Sequence, residues 1–146
     1  MTTDAQKLAQ AVGEAMWADD NASRGLGMRL DGIGPGTATL SMEVAESMVN
    51  GLGVCHGGLV FTLADSACAF ASNSYNRRMI LQSSQIMLLA PARLGMRLTA
   101  TAEERYRTER SAIYDVRVTD TAGGTIAEFR GHVRSIPGTL LPDGRE

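Results

Sequence analysis

Asp65 lies within the run LVFTLADSACAFA (59–71) and is the only carboxylate between Glu46 and Glu103. The segment 57–73 is apolar nearly all round, as a buried helix is. A polar group buried without a hydrogen bond costs on the order of 2–7 kcal/mol, and aspartate is a mediocre helix former. Two explanations are open. In one, Asp65 faces a single wet side of the helix or bonds Ser66 or a neighbouring hydroxyl. In the other, partial burial raises its proton affinity and suits it to act as a general base or a nucleophile.

The same helix opens at His56-Gly57-Gly58. Gly57 and Gly58 offer backbone N–H groups with no side chain in the way, at a terminus carrying a partial positive charge. Such donors suit the oxyanion that develops on an acyl carbonyl. Asp65 lies eight residues beyond Gly57, which is about 12 Å along a helix axis. One carbonyl cannot touch both groups on one helix. The chemistry therefore calls for two copies, one giving the donors and the other the acid.

Cys55-His56 raises a rival, a thiol nucleophile. Sequence neighbours rarely point together, and no acid orients the histidine. Cys68 at helical spacing fits a small core residue. The only other histidine, His132, is far from His56 in sequence, so no metal-ligand spacing is present and no metal site is expected. The eight methionines fit core and channel lining.

These residues need a scaffold. Segment 4–17 has helical spacing, with Asp4 able to cap it, and Asp19-Asp20-Asn21 ends it. Segments 25–34 and 37–44 read as a hairpin around the turn Gly34-Pro35-Gly36. A glycine-rich loop, 50–56, leads into the helix at 57–73. Four strands follow at about 79–89, 97–107, 112–119 and 125–135, and 137–146 reads as a flexible tail. The order predicts a single α+β domain over 1–146, an antiparallel sheet wrapped around one long central helix. The small residues of that helix let the sheet close tightly on it.

Hydrophobic residues make up 44% and charged residues 21%, which reads as soluble and globular. A net charge of −2 argues against nucleic acid as the main partner. No stretch has the length of a membrane span, and the N-terminus shows no secretory pattern. Cytoplasmic residence with reduced cysteines is the expectation.

The stretch from Asn50 through Cys55-His56-Gly57-Gly58 and Phe61-Thr62-Leu63-Ala64-Asp65-Ser66 to Asn73-Ser74 resembles the hotdog-fold acyl-CoA thioesterases, in their PaaI (phenylacetic acid degradation) branch. The likeness extends to SSQIMLLAPARLG (83–95), Tyr114-Asp115-Val116 and Phe129-Arg130-Gly131, covering about residues 10–137. The resemblance implies a hydrolase that cleaves aryl-acetyl or related acyl-CoA thioesters to acid and CoA, linked to aromatic degradation. It implies Asp65 as nucleophile or base, Gly57 as oxyanion donor from the partner subunit, Asn50 as the group positioning carbonyl or water, and His56 as support. Gly58, Thr62, Ser66, Ser83, Ser84, Arg93 and Arg110 are the expected substrate contacts, the arginines for CoA phosphates. Phe61, Leu63, Leu59 and Met48 are candidate acyl-pocket walls. Coenzyme A enters as substrate, with no cofactor, and the expected assembly is a site-sharing homodimer, paired into a tetramer. The rival readings are a hotdog hydratase or dehydratase and a non-catalytic acyl-CoA-binding protein.

Overall fold

The computed structural model describes residues 2–142. Its elements run α1 (Asp4–Asp19), α2 (Asn21–Gly25), β1 (Arg29–Gly34), β2 (Thr37–Glu43), α3 (Gly57–Asn73), β3 (Met79–Leu88), β4 (Arg97–Arg107), β5 (Ser111–Thr119) and β6 (Thr125–Ser135). The six strands form one antiparallel sheet in the order β1-β2-β4-β5-β6-β3. α3 packs against β2, β3, β4, β5 and β6, so the sheet wraps the helix as the sequence predicts.

The strands alternate because one face meets α3 and the other meets water. On β5, Ala112, Tyr114, Val116 and Val118 are buried. The outer face carries charge: Asp115 accepts hydrogen bonds from Arg105 and Arg130 at 2.6–2.9 Å. On the inner face, small side chains set the distance. A Cβ placed on Gly131 of β6 would lie 3.0 Å from Cys68 Sγ of α3, and as close to Leu81 and Phe129. The helix and sheet thus meet at contact distance, and Leu63, Ala64, Ala67 and Phe70 are fully buried. Each large apolar side chain so enclosed contributes about 1.5–3 kcal/mol.

Three local features differ from the sequence expectation. Thr3, not Asp4, caps α1, its side chain accepting from Gln6 N at 3.1 Å; Asp4 is an acid in the first turn. The predicted strand at 25–34 begins only at Arg29, because Asp20 caps a short helix, α2, before it. Residues 137–141 do not fray. Asn76 Oδ1 accepts from the Leu140 and Leu141 amides at 3.0 Å, and Arg78 Nε donates to the Thr139 carbonyl at 2.9 Å. The remainder of the predicted tail, 143–146, lies outside the described residues.

Gly131→Ala forces three side chains apart at the tightest helix–sheet contact. It is expected to destabilise the fold by about 1–3 kcal/mol, read as a lower urea midpoint. An unchanged midpoint would contradict this account of the packing.

Candidate active site

The loop before α3 is built around Asn50. Asn50 Oδ1 accepts from Leu52 N at 2.9 Å and Val54 N at 3.2 Å, while Asn50 N donates to Val54 O at 2.8 Å. Gly53 closes the turn at φ +73°, where a side chain would be strained. The loop is pinned at its end: Cys55 N donates to Ala92 O at 2.7 Å and His56 N to Met48 O at 2.8 Å. The chain thereby enters α3 on a fixed path.

His56 is the N-cap of α3. Its Nδ1 accepts the Gly58 N–H at 3.2 Å, so the neutral ring must carry its proton on Nε2, which faces outward with the exposed side chain. The sequence offers two free donors at Gly57 and Gly58; the structure leaves one, because the cap uses Gly58. The Gly57 N–H has no hydrogen bond among the described residues. Leu88 lies over Gly57, 2.6 Å from where a Cβ would stand, so a larger residue would displace that leucine.

Asp65 lies half-buried on α3. Burial pushes its carboxyl above the usual range, and the like charge of Asp20 adds to that. It makes no hydrogen bond among the described residues, yet no unpartnered side-chain atom there is fully buried, so its oxygens stay reachable from outside. The local hydroxyls that might have bonded it are engaged elsewhere. Thr62 Oγ1 donates back to Gly58 O at 2.9 Å, and Ser66 Oγ lies 2.8 Å from Ser23 Oγ.

The expected substrate contacts do not all converge. Ser83 and Ser84 fall on opposite faces of β3. Ser84 pairs with Gly131, whose missing side chain points at Cys68 on α3, whereas Ser83 pairs with His132 toward the outer face. Arg93 bridges Val54 beside the start of α3. Arg110 sits at the far end, its carbonyl accepting from Ser135 N, and lines a cleft of about 690 Å³ with Arg77, Arg134 and His132. α3 has 17 residues, about 25 Å of helix, so the two arginines of one chain lie at opposite ends of it. Of the acyl-pocket guesses, Leu63 and Met48 belong to the core, while Phe61 is partly buried edge-on against Phe129 at 5.5 Å and Leu59 is partly buried. Asp20 and Ser23 were not expected near the acid. The signal for them was an Asp-x-x-Ser capping spacing at 20–23, masked by its position at the end of α1.

Both cysteines are free and buried. Cys55 donates to the His56 carbonyl at 3.6 Å rather than to its ring, and burial pushes its thiol up. Cys68 is pushed up to about 12 by burial and by Asp65. Neither thiol is poised as a thiolate.

A single helix enclosed by an antiparallel sheet has counterparts among known proteins. The chain belongs to the thioesterase superfamily, whose family model matches residues 52–127, from the loop through α3 into β6. It is similar to the acyl-coenzyme A thioesterase PaaI of Escherichia coli K12, 36% identical over 126 residues, 86% of this chain and 90% of that one. Human acyl-coenzyme A thioesterase 13 is 29% identical over 139 residues, 93% of this chain and 99% of the relative. The structure of the E. coli PaaI protein from the phenylacetic acid degradation operon superposes with a TM-score of 0.92 at 34% identity, covering 93% of this chain and 99% of the other.

The raised proton affinity of Asp65 has a consequence for stability. Between the ordinary carboxylate value and its raised value, the folded chain binds more protons than the unfolded one, so this group's contribution falls as pH rises through that window. Asp65→Asn should therefore raise the thermal midpoint at pH 7, and the gain should vanish near pH 3 as both states protonate. A variant less stable than wild type at pH 7 would contradict an unbonded Asp65.

Proposed function

We propose that this chain hydrolyses acyl-CoA thioesters, with aryl-acetyl groups and their relatives as the acyl class and a place in aromatic-acid breakdown. The single observation that carries the mechanism is Asp65: a half-buried carboxylate without a hydrogen bond, in reach of solvent, on the helix the family model spans. Its two routes, taking a proton from water and attacking the carbonyl itself, both need a carboxylate held away from other donors. The products are the free acid and CoA thiol.

The free Gly57 N–H is the oxyanion donor, and His56 keeps Gly58 from competing for that place. Asn50 Oδ1 holds the loop, so its amide NH2 is the part left to orient carbonyl or water. Ser84, on the α3 side of β3, is a better channel residue than Ser83. Arg110, Arg77 and Arg134 outnumber the one carboxylate, Glu109, in a cleft suited to phosphates, and Arg93 lies by the start of α3.

Two copies are needed because Gly57 and Asp65 are separated by about 12 Å on one helix. β3 supports a self-association route. It is an edge strand of ten residues, with Ile80, Met87 and Leu88 exposed at 43%, 52% and 53%. Long apolar edges of that kind call for a partner strand. Pairing of dimers into a tetramer extends the same reading. The two free, buried thiols support a reducing, cytoplasmic setting, and among the described residues no helix is long and apolar enough to cross a membrane.

The test is release of free CoA from a panel of acyl-CoA esters. Asp65→Asn is expected to lower kcat on the order of 10²–10⁴-fold, and Asn50→Ala to reduce kcat by a smaller factor. Hydrolysis retained in Asp65→Asn sinks the mechanism.

A further inference from the structure

A chain of hydroxyls links the α1–α2 junction to the residue beside Asp65. Asp20 Oδ1 accepts the Ser23 N–H at 2.9 Å, which is the cap of α2. Asp20 Oδ2 accepts the Ser23 hydroxyl at 2.8 Å, which a cap does not require. Ser23 Oγ in turn lies 2.8 Å from Ser66 Oγ. Ser23 is 1% exposed, so water does not compete for these bonds.

The proton directions follow from counting. A serine has one hydroxyl proton, and an ionised carboxylate only accepts. The Ser23 proton therefore goes to Asp20, so Ser66 must donate to Ser23. That leaves the Ser66 lone pairs as acceptors beside Asp65. An amide at position 20 could present its NH2 to Ser23 and reverse every donor in the chain.

We propose that Asp20 is a positioning residue for Asp65: through Ser23 it fixes the Ser66 hydroxyl as an acceptor beside the acid, and it sets a second negative charge behind it. The proposal rests on Asp65 as the site's acid. Burial pushes the Asp65 carboxyl up, and like-charge repulsion from Asp20 adds to that, so Asp65 holds its proton more tightly. A stronger base takes a proton from water more readily.

The surroundings leave Asp20 as the charge that matters. On α3 itself, Cys68 lies one turn on and stays a neutral thiol. α1 packs its buried Ala9, Val12 and Gly13 inward and carries Asp4, Lys7, Glu14 and Asp19; Arg24 of α2 turns back to donate to the Ala18 carbonyl at 3.0 Å. On β1, Arg29 pairs with Asp31 at 3.7 Å, and β2 carries Glu43 at its end. β3 carries no charged residue. The strands β4, β5 and β6 bury apolar residues against the helix and carry Glu103, Arg105, Asp115, Arg117, Glu128 and Arg130 outside. Of their inward titratable groups, Glu104 accepts from Tyr114 and from Tyr75, which lies just beyond the other end of α3.

The experiment is a carbon-13 NMR titration of the aspartate carboxyls in wild type, Asp20→Asn, Asp20→Ser and Ser66→Ala, alongside kcat against pH. Asparagine and serine both serve as N-caps, so α2 has two routes to survive loss of the charge. Both Asp20 variants should move the Asp65 midpoint to lower pH, shift the acidic limb of kcat with it, and lower kcat on the order of threefold to tenfold, with KM unchanged. Ser66→Ala should lower kcat while leaving the Asp65 midpoint in place. A folded Asp20 variant with an unmoved Asp65 midpoint overturns the proposal. The titration needs no turnover, so an inactive wild type would fail the hydrolase reading and leave this result standing.

Discussion

The contact between α3 and the sheet governs the rest of the molecule. Gly131 on β6 brings the strand within van der Waals distance of Cys68, and alanines line the neighbouring turns of the helix. A helix gripped so closely cannot roll or slide without forcing apart packed side chains. That grip fixes where Asp65 and the Gly57 N–H point, and it holds the carboxylate in a half-buried position it would otherwise leave. The loop at 49–56 completes the constraint by tying the helix start to Met48 and Ala92.

Held there, the acid lacks, among the described residues, the hydrogen bonds that would satisfy a structural aspartate. Thr62 turns back to a carbonyl and Ser66 turns to Ser23, leaving Asp65 open toward the outside. One half of the bland explanation for an aspartate in this helix, a bond to a neighbouring hydroxyl, is thereby removed; the other half, a wet side of the helix, is where the carboxylate lies. The cost of keeping such a group is consistent with stability given up for function at a site. The thiol alternative weakens for a complementary reason: burial keeps both cysteines protonated, and Cys55 bonds a carbonyl instead of the imidazole.

Much of this was legible in the residues. α3, β4 and β6 begin and end where the sequence places them, because glycine and polar turn residues bracket strongly patterned runs. Family membership was legible from the 50–74 stretch and is shown by the match over 52–127. What escaped was set by tertiary contacts or by very short elements. The five residues of α2 are too few to show a period, so Asp20 and Ser23 read as a helix end and a strand approach. The capping of Gly58 by His56 depends on a ring orientation that spacing does not encode. Ser83 and Ser84 are separated by the pleat, and a register irregularity at Leu81/Ser83 decides which one faces α3. Arg93 and Arg110 lie at opposite ends of the helix because β4, the strand between them, runs its length.

The central claim is that Asp65 of one copy works against the Gly57 N–H of another. Co-expression of two defective chains tests it most directly. Asp65→Asn removes the acid, and Gly57→Pro removes the donor at a first helical position where the proline backbone fits, its ring displacing the Leu88 side chain. Each alone should be inactive. Random pairing in a site-sharing dimer restores one complete site in each mixed pair, so the mixture should regain about one quarter of wild-type CoA release. A mixture as inactive as its two parents would contradict the shared site.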